Sequence, residues 1–204
     1  MLEHVLRRLM AAGVTEVIIN VHHFADQIAD FLKNKSNFGI RIELSYEEQL
    51  LDTGGGLKKA GYFLDDSEPF FLHNVDIVSD IDLNKMHRGH VRNNPLATLA
   101  VMQRESSRFL LFDQKDNLCG WKALKSDQTV MLANTKGPIQ DLAFCGIHVI
   151  SPSIFEKFTE RGAFSIISSY VRLAELGERI LAFRADDYQW QDGGKLEDLR
   201  SAQK

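Results

Sequence analysis

The apolar positions along the chain fall into alternating textures. Leu2, Val5, Leu6 and Leu9 recur at helical spacing with charges on the other face, and Gly13 supplies a stop, so a helix is expected directly after Met1. Residues 16–21, EVIINV, are a continuous β-branched run of the kind a buried parallel strand carries. Beyond His22 and His23 the period returns to helical, with Phe24, Ile28, Phe31 and Leu32 on one face, and residues 39–45 then alternate as a strand. Strand, helix and strand with short loops predict a βαβ unit, hence a parallel pairing with a right-handed crossover.

The stretch that organises the rest runs over residues 48–82. A polar turn enters Gly54, Gly55 and Gly56, a helix-compatible segment follows, and the apolar residues 70–73 lead to Asn74 and Asp76. Loop, helix, strand and carboxylate in that order present backbone N–H groups and an acid at one sheet edge. Residues 83–91 read as a helix ended by Asn93, Asn94 and Pro95. Strands are then expected at 96–102, 109–113, 118–124 and 143–150, joined by turn-rich segments at 113–117 and 134–138. A β-rich lobe over residues 104–142 would thus project from a single domain spanning 1–204. Ser151 and Pro152 have the N-cap and N1 chemistry of a helix start. A second helix is expected over 164–176, a short strand over 179–184, a strand running into a glycine turn over 188–194, and a closing helix over 195–203.

Composition narrows the function classes. A length of 204 residues, 44% hydrophobic and 25% charged, suits one substantial core. The net charge is −4 and no Lys/Arg block stands out, which disfavours nucleic acid and an anionic membrane as partners. Cys119 and Cys145 lie in no metal-ligand spacing and fit free thiols in a reducing compartment. With no apolar stretch of spanning length and no leader pattern, a cytoplasmic location is expected.

Several side chains have candidate chemistry. The three glycines let backbone donors approach a base, ribose or phosphate, although a triple glycine is equally a plain turn. Asp76 and Asp192 each follow an apolar strand; singly they read as turn formers, but as a pair at one sheet edge they suit a hard cation such as Mg2+ whose other ligands are phosphate oxygens. Asp80 and Asp82 read as the start of the next helix. His22 and His23 are adjacent and cannot share a metal, and His87 and His90, lacking a third ligand, read as surface residues. His73 has a hydrogen-bonding role open to it beside Asn74, and Lys58 and Lys59 read as a solvated helix face or as phosphate contacts.

Taken together, LLDTGGGLKKA, PFFLHNVDI, FCGIHVISPSIF and WQDGGKLEDL, in that order, resemble the sugar-phosphate nucleotidyltransferases. The opening MLEHVLRRLMAAGVTEVIINVHH is similar to the family's first helix and second strand, so the resemblance covers essentially the whole chain. It implies an α/β fold, a Rossmann-like three-layer sandwich around a mixed, mostly parallel sheet with a small β-rich lobe on the sugar side. It also implies transfer of a nucleoside monophosphate from a nucleoside triphosphate to a sugar 1-phosphate, with Mg2+ as cofactor and a homodimer left open. By position, Asp76 and Asp192 match the metal-binding and catalytic aspartates. Glu48, Thr53, Gly54, Gly55, Gly56 and Asn74 match the nucleotide-binding segments, and Gly146 and Asp141 the sugar side.

Departures accompany the likeness. Val75 stands where many members have glycine, and Gly193 and Leu196 replace commoner residues around the second aspartate. The family's first strand and its glycine-rich, arginine-bearing loop have no counterpart before Met1, so weak or absent turnover is expected of the chain as it stands. A non-catalytic sugar-nucleotide-binding or subunit-pairing relative is the alternative. Uridylyl and guanylyl members share these motifs, and a hexose or N-acetylated muramic-type acceptor is favoured.

Overall fold

The structure, a computed structural model, describes residues 1–64 and 68–194. The expected closing helix over 195–203, and Leu196 with it, lies outside the described residues.

Helix α1 (Leu2–Ala11) buries Val5, Leu6 and Leu9 and ends at Gly13, whose φ of +94° only glycine adopts without cost. Strands β1 (Glu16–Val21) and β2 (Arg41–Tyr46) pair in parallel from Glu16↔Arg41 to Val21↔Tyr46, connected through α2 (Ala25–Asn34). This is the βαβ unit the pattern predicts. Helix α3 (Asp52–Lys59) contains the three glycines, and the short α4 (Gly61–Leu64) follows. Strands β3 (Phe70–His73) and β4 (Ile77–Ser79) flank Asn74, Val75 and Asp76, and α5 (Leu83–Asn93) starts at Asp82, whose carboxylate accepts the Lys85 N–H as an N-cap should.

The second half holds β5 (Ala97–Met102), β6 (Arg108–Phe112), β7 (Leu118–Ala123), β8 (Gln128–Met131) and the long β9 (Gln140–Ile150). Helices α6 (Ile154–Lys157) and α7 (Ile166–Glu175), then β10 (Ile180–Arg184) and β11 (Trp190–Asp192), complete the described chain. The main sheet runs β10-β5-β9-β6-β7-β8, with β3 also paired to β9. Its strand β5 is buried along its whole length, which explains the unbroken apolar run. Ala97, Leu99 and Val101 face one core with Ile166, Tyr170 and Leu173 of α7; Ala100 and Met102 face the other with α1 and α5. Helices on both faces of the sheet make three layers.

The main sheet is mixed with β10–β5 as its one parallel pair among the described strands, while β1–β2 forms a separate parallel pair and β11–β4 a separate antiparallel pair. The expectation of a mostly parallel sheet is corrected by β9, which runs opposite to β3, β5 and β6 at once. The N-terminal part of β9 pairs with β6 and its C-terminal part with β3, so the lobe strands continue the main sheet through this one strand. Strand β8 went unread in the sequence because all four of its residues are exposed and no burial alternation marks them. Ser151 is not the helix cap: its hydroxyl donates to the Pro95 carbonyl at 2.8 Å, and α6 begins after Ser153.

Candidate metal and nucleotide site

The two aspartates meet. Strand β11 lies antiparallel to β4 with Asp192 opposite Ile77, and the Gly193 N–H donates to the Asp76 carbonyl at 2.8 Å. The Gly194 N–H donates to Asp192 Oδ1 at 3.0 Å. A Cβ placed on Gly194 would lie 3.2 Å from Asp192 Oδ1 and 3.3 Å from Asp76 Oδ2, so both carboxylates face one point beside an exposed glycine. Among the described residues no cluster of three or more His, Cys, Asp or Glu side chains accompanies them. Two hard oxygen donors with an open side suit a hard cation such as Mg2+ and do not fit a closed structural metal. Met1, just before α1, lies against Gly193, where a Cβ would stand 2.4 Å from the Met1 Cε.

Asn74 and Gly146 belong to the same place. Gly146 has φ +75°, and its carbonyl accepts the Asn74 N–H at 2.9 Å. His73 supports the turn, its Nδ1 lying 2.7 Å from the Asn74 carbonyl, and burial pushes its imidazole down to about 4, so it is neutral at pH 7. The hydrogen-bonding part foreseen for His73 is thus present in the geometry.

The α3 glycines are used differently from a free donor cradle. The N–H groups of Gly54 and Gly55 both donate to the Phe164 carbonyl, at 2.9 and 3.3 Å. A Cβ on Gly54 would meet the Phe164 ring at 2.4 Å, one on Gly55 the Gly162 carbonyl at 2.4 Å, and one on Gly56 the Asn20 amide at 2.3 Å and Glu47 Oε1 at 2.7 Å. Their lack of side chains brings α3 onto the segment before α7 and onto the C-terminal ends of β1 and β2, where α/β sheets receive ligands. Thr53 donates its N–H to Asp52 Oδ1 at 2.6 Å, and Glu48 is exposed. Its neighbour Glu47 is the buried acid: Oε2 accepts the Leu51 N–H at 2.9 Å while Oε1 faces Gly56. The sequence reading missed Glu47, because nothing in EEQ tells which glutamate turns inward.

Asp141 stands apart. It lies five residues before Gly146 on β9, about 16 Å of extended chain, and pairs with Lys122 of β7. Lys58 Nζ bonds the Glu160 carbonyl at 2.6 Å and Lys59 bonds the Tyr46 carbonyl, so both are tied to the chain. Burial works against the Glu160 carboxylate, but Arg172 and the Ser169 hydroxyl hold it at about 2, clamping the segment that meets the α3 glycines. His90 is not a surface residue. It is 1% exposed and bridges the Thr98 and Ser151 hydroxyls at 2.9 and 3.0 Å, a core role that a spacing of three from His87 could not reveal. Both cysteines are buried and free, and burial lifts the Cys145 thiol to about 12, which makes it inert at pH 7. No helix among the described residues is long and apolar enough to cross a membrane.

A mannose-1-phosphate guanyltransferase of Yarrowia lipolytica is 26% identical over 204 residues, which cover 98% of this chain and 54% of that protein. An N-acetylmuramate alpha-1-phosphate uridylyltransferase of Caulobacter vibrioides is 29% identical over 184 residues, 87% of this chain and 72% of the other. The chain spans about half the length of the guanyltransferases it matches. Among solved structures, HddC from Yersinia pseudotuberculosis complexed with GMP-PN aligns with a TM-score of 0.74 at 20% identity, covering 98% of this chain and 83% of that one. A putative glucose-1-phosphate thymidylyltransferase from Bacillus anthracis aligns with a TM-score of 0.77 at 14% identity, covering 98% and 80%. At those identities the structural likeness is one of fold. The family model for nucleotidyl transferases matches residues 1–119, more than half of the sequence, and the chain belongs to that family.

Proposed function

We propose that the chain handles nucleotide and metal in a sugar-1-phosphate nucleotidyltransferase, which joins a nucleoside triphosphate to a sugar 1-phosphate and releases pyrophosphate. The convergence of Asp76 and Asp192 on one point beside Gly194 carries this reading. A phosphate oxygen of the sugar 1-phosphate attacks the α-phosphorus in line, and the bond from that phosphorus to the pyrophosphate oxygen breaks. Such chemistry asks the protein for position and charge more than for covalent help.

Asp76 and Asp192 are the residues that would hold Mg2+, which would supply positive charge to offset that of the substrate phosphates. The Gly193 and Gly194 N–H groups fix the turn that aims both carboxylates. Asn74, anchored on the Gly146 carbonyl, sets the approach to Asp76, and Gly146, at φ +75°, matches the sugar side by position. Thr53, Glu48 and the α3 segment lie at the strand ends suited to a base, with Glu47 added to them. The guanyl- and uridylyltransferase names of the relatives favour GTP or UTP as donor, and a hexose 1-phosphate or an N-acetylmuramate 1-phosphate as acceptor.

The test is pyrophosphate release from GTP and UTP against these sugar 1-phosphates with Mg2+, by the chain alone and by the chain with a family first strand and glycine-rich loop joined ahead of Met1. Release that falls on the order of 10²-fold or more in Asp76→Ala and Asp192→Ala is expected. A folded protein that binds a nucleoside-diphosphate sugar but releases no pyrophosphate with any pair would instead be a non-catalytic binding relative.

A further inference from the structure

Strand β9 breaks register with β5: Leu99 pairs with His148 and Val101 with Phe144, so Cys145, Gly146 and Ile147 stand opposite Ala100 alone. The carbonyls of residues 144–146 at this bulge take donors from three separate elements. Arg104 Nη2, on the loop after β5, donates to the Phe144 carbonyl at 2.9 Å. Trp190 Nε1, on β11, donates to the Cys145 carbonyl at 2.9 Å, and the Asn74 N–H donates to the Gly146 carbonyl at 2.9 Å. Asn74 precedes Asp76 by two residues, and Trp190 precedes Asp192 by two.

Arg104 does more than grip the bulge. Its guanidinium carbon lies 3.8 Å from the centroid of the Trp190 ring, a cation–π stack, and Nη1 donates to the Glu105 carbonyl at 3.0 Å. Trp190 and Asp192, two apart on a strand, share one face of β11. That strand pairs only with β4 among the described residues, over three residues, and so short a ribbon needs outside anchors. The Asp80–Gln189 backbone bond of 3.2 Å, the Gln189 N–H to Asp80 Oδ1 bond of 2.7 Å and the Arg104–Trp190 stack secure its entrance, and the Gly193 N–H to Asp76 carbonyl bond of 2.8 Å secures its exit.

We propose that Arg104 is a positioning residue for the cation site: by holding the Phe144 carbonyl and covering the Trp190 indole, it fixes the first residue of β11 so that Asp192, two residues on along the same face, converges with Asp76. The proposal rests on the reading of those two aspartates as cation ligands. A role through charge alone predicts the opposite sign, because a guanidinium beside Asp192 repels a divalent cation and its removal would tighten binding. Burial lowers the Arg104 pKa from its ordinary value, partly offset by Cys145 and Asp192, which agrees with a half-buried cation held beside the site.

The chain has two tryptophans, so Trp121→Phe leaves Trp190 as the one indole reporter. In that background Tb3+, a hard oxygen-seeking cation, is titrated and read by luminescence excited through Trp190. Arg104→Met is expected to shift Trp190 emission to longer wavelength and to weaken Tb3+ half-saturation by about tenfold, as for other residues that orient metal ligands. Arg104→Lys keeps the charge but loses the planar stack and the forked donor; it is expected to weaken binding several-fold, and it carries the test if the Met variant does not fold. Unchanged or tighter Tb3+ binding in either variant overturns the positioning role. Asp192→Asn separates the two readings: Tb3+ emission that survives it removes the cation site itself, whereas its loss there with intact binding in the Arg104 variants removes only Arg104.

Discussion

Asn74 and Gly146 are locked across the boundary between β3 and β9. The Asn74 N–H donates to the Gly146 carbonyl at 2.9 Å, and the Asn74 side chain lies 3.2 Å from where a Gly146 Cβ would stand. The same Cβ would lie 2.7 Å from Ile77 Cγ1, at a φ of +75°. Both the turn leading to Asp76 and the strand leaving it therefore lean on the absence of a side chain at one position.

Gly146→Ala is expected to cost about 2–4 kcal/mol, combining the left-handed backbone with overpacking against Ile77. Urea unfolding reads the loss, and cation binding weakens with it because the relief must come from the Asn74–Ile77 turn. A midpoint unchanged from the parent would show that the turn yields freely.

Gly194→Ala separates site from scaffold. Gly194 is exposed, and its missing Cβ lies between the two carboxylates at 3.2 and 3.3 Å. Stability is expected to change by no more than about 0.5 kcal/mol, as for an exposed substitution. Mg2+-dependent pyrophosphate release is expected to fall at least about tenfold, equal to ~1.4 kcal/mol. Equal loss of stability and activity would mean the methyl acts on folding alone.

Gly54→Ala tests what the glycines are for. Its Cβ would enter the Phe164 ring at 2.4 Å and approach the Phe164 carbonyl at 2.8 Å. A stability loss of about 1–3 kcal/mol is expected with no ligand present. A variant as stable as the parent whose only defect is a raised KM for the nucleoside triphosphate would return the glycine to a purely ligand-facing role.

Acid sensitivity follows from the buried histidines. Burial pushes His148 down to about 3 and His90 to about 4, and the His148 Nδ1 lies 3.0 Å from the Tyr170 hydroxyl in the core. The folded protein keeps these rings neutral, while the unfolded chain takes up protons near pH 6.5. Stability is therefore full above 6.5 and is lost as pH falls from there toward 4, by about 2 kcal/mol at pH 5 for the fully buried His148. His148→Phe is expected to flatten the dependence of the urea midpoint on pH between 7.5 and 5 by that amount, at a cost of about 1 kcal/mol at pH 7.5 for the Tyr170 hydroxyl left without its partner. An unchanged slope would place the acid sensitivity elsewhere.

The sequence by itself determined most element types and put Asp76 and Asp192 each just after an apolar strand segment. Local periodicity reports burial of one face: it located the helix over α1 and the strand of continuous apolar residues at β5, where burial follows the pattern, whereas the β1–α2–β2 unit was legible from residue types although only Val21, Leu32 and Ser45 in it are buried. It was silent on β8, whose four residues are all exposed, and it misread His90 and Ser151, whose partners are brought in from other elements. Only the tertiary structure decided that Glu47 rather than Glu48 turns inward, that the α3 glycines pack against Phe164, Gly162 and Asn20, and that Asp141 of β9 pairs with Lys122 of β7. It also decided the antiparallel balance of the sheet, which depends on the single direction of β9. The physical reason is common to all of these. Periodicity is a property of neighbours along the chain, whereas the convergence of Asp76 with Asp192 is set by contacts across it, through a β-bulge that no local pattern announces.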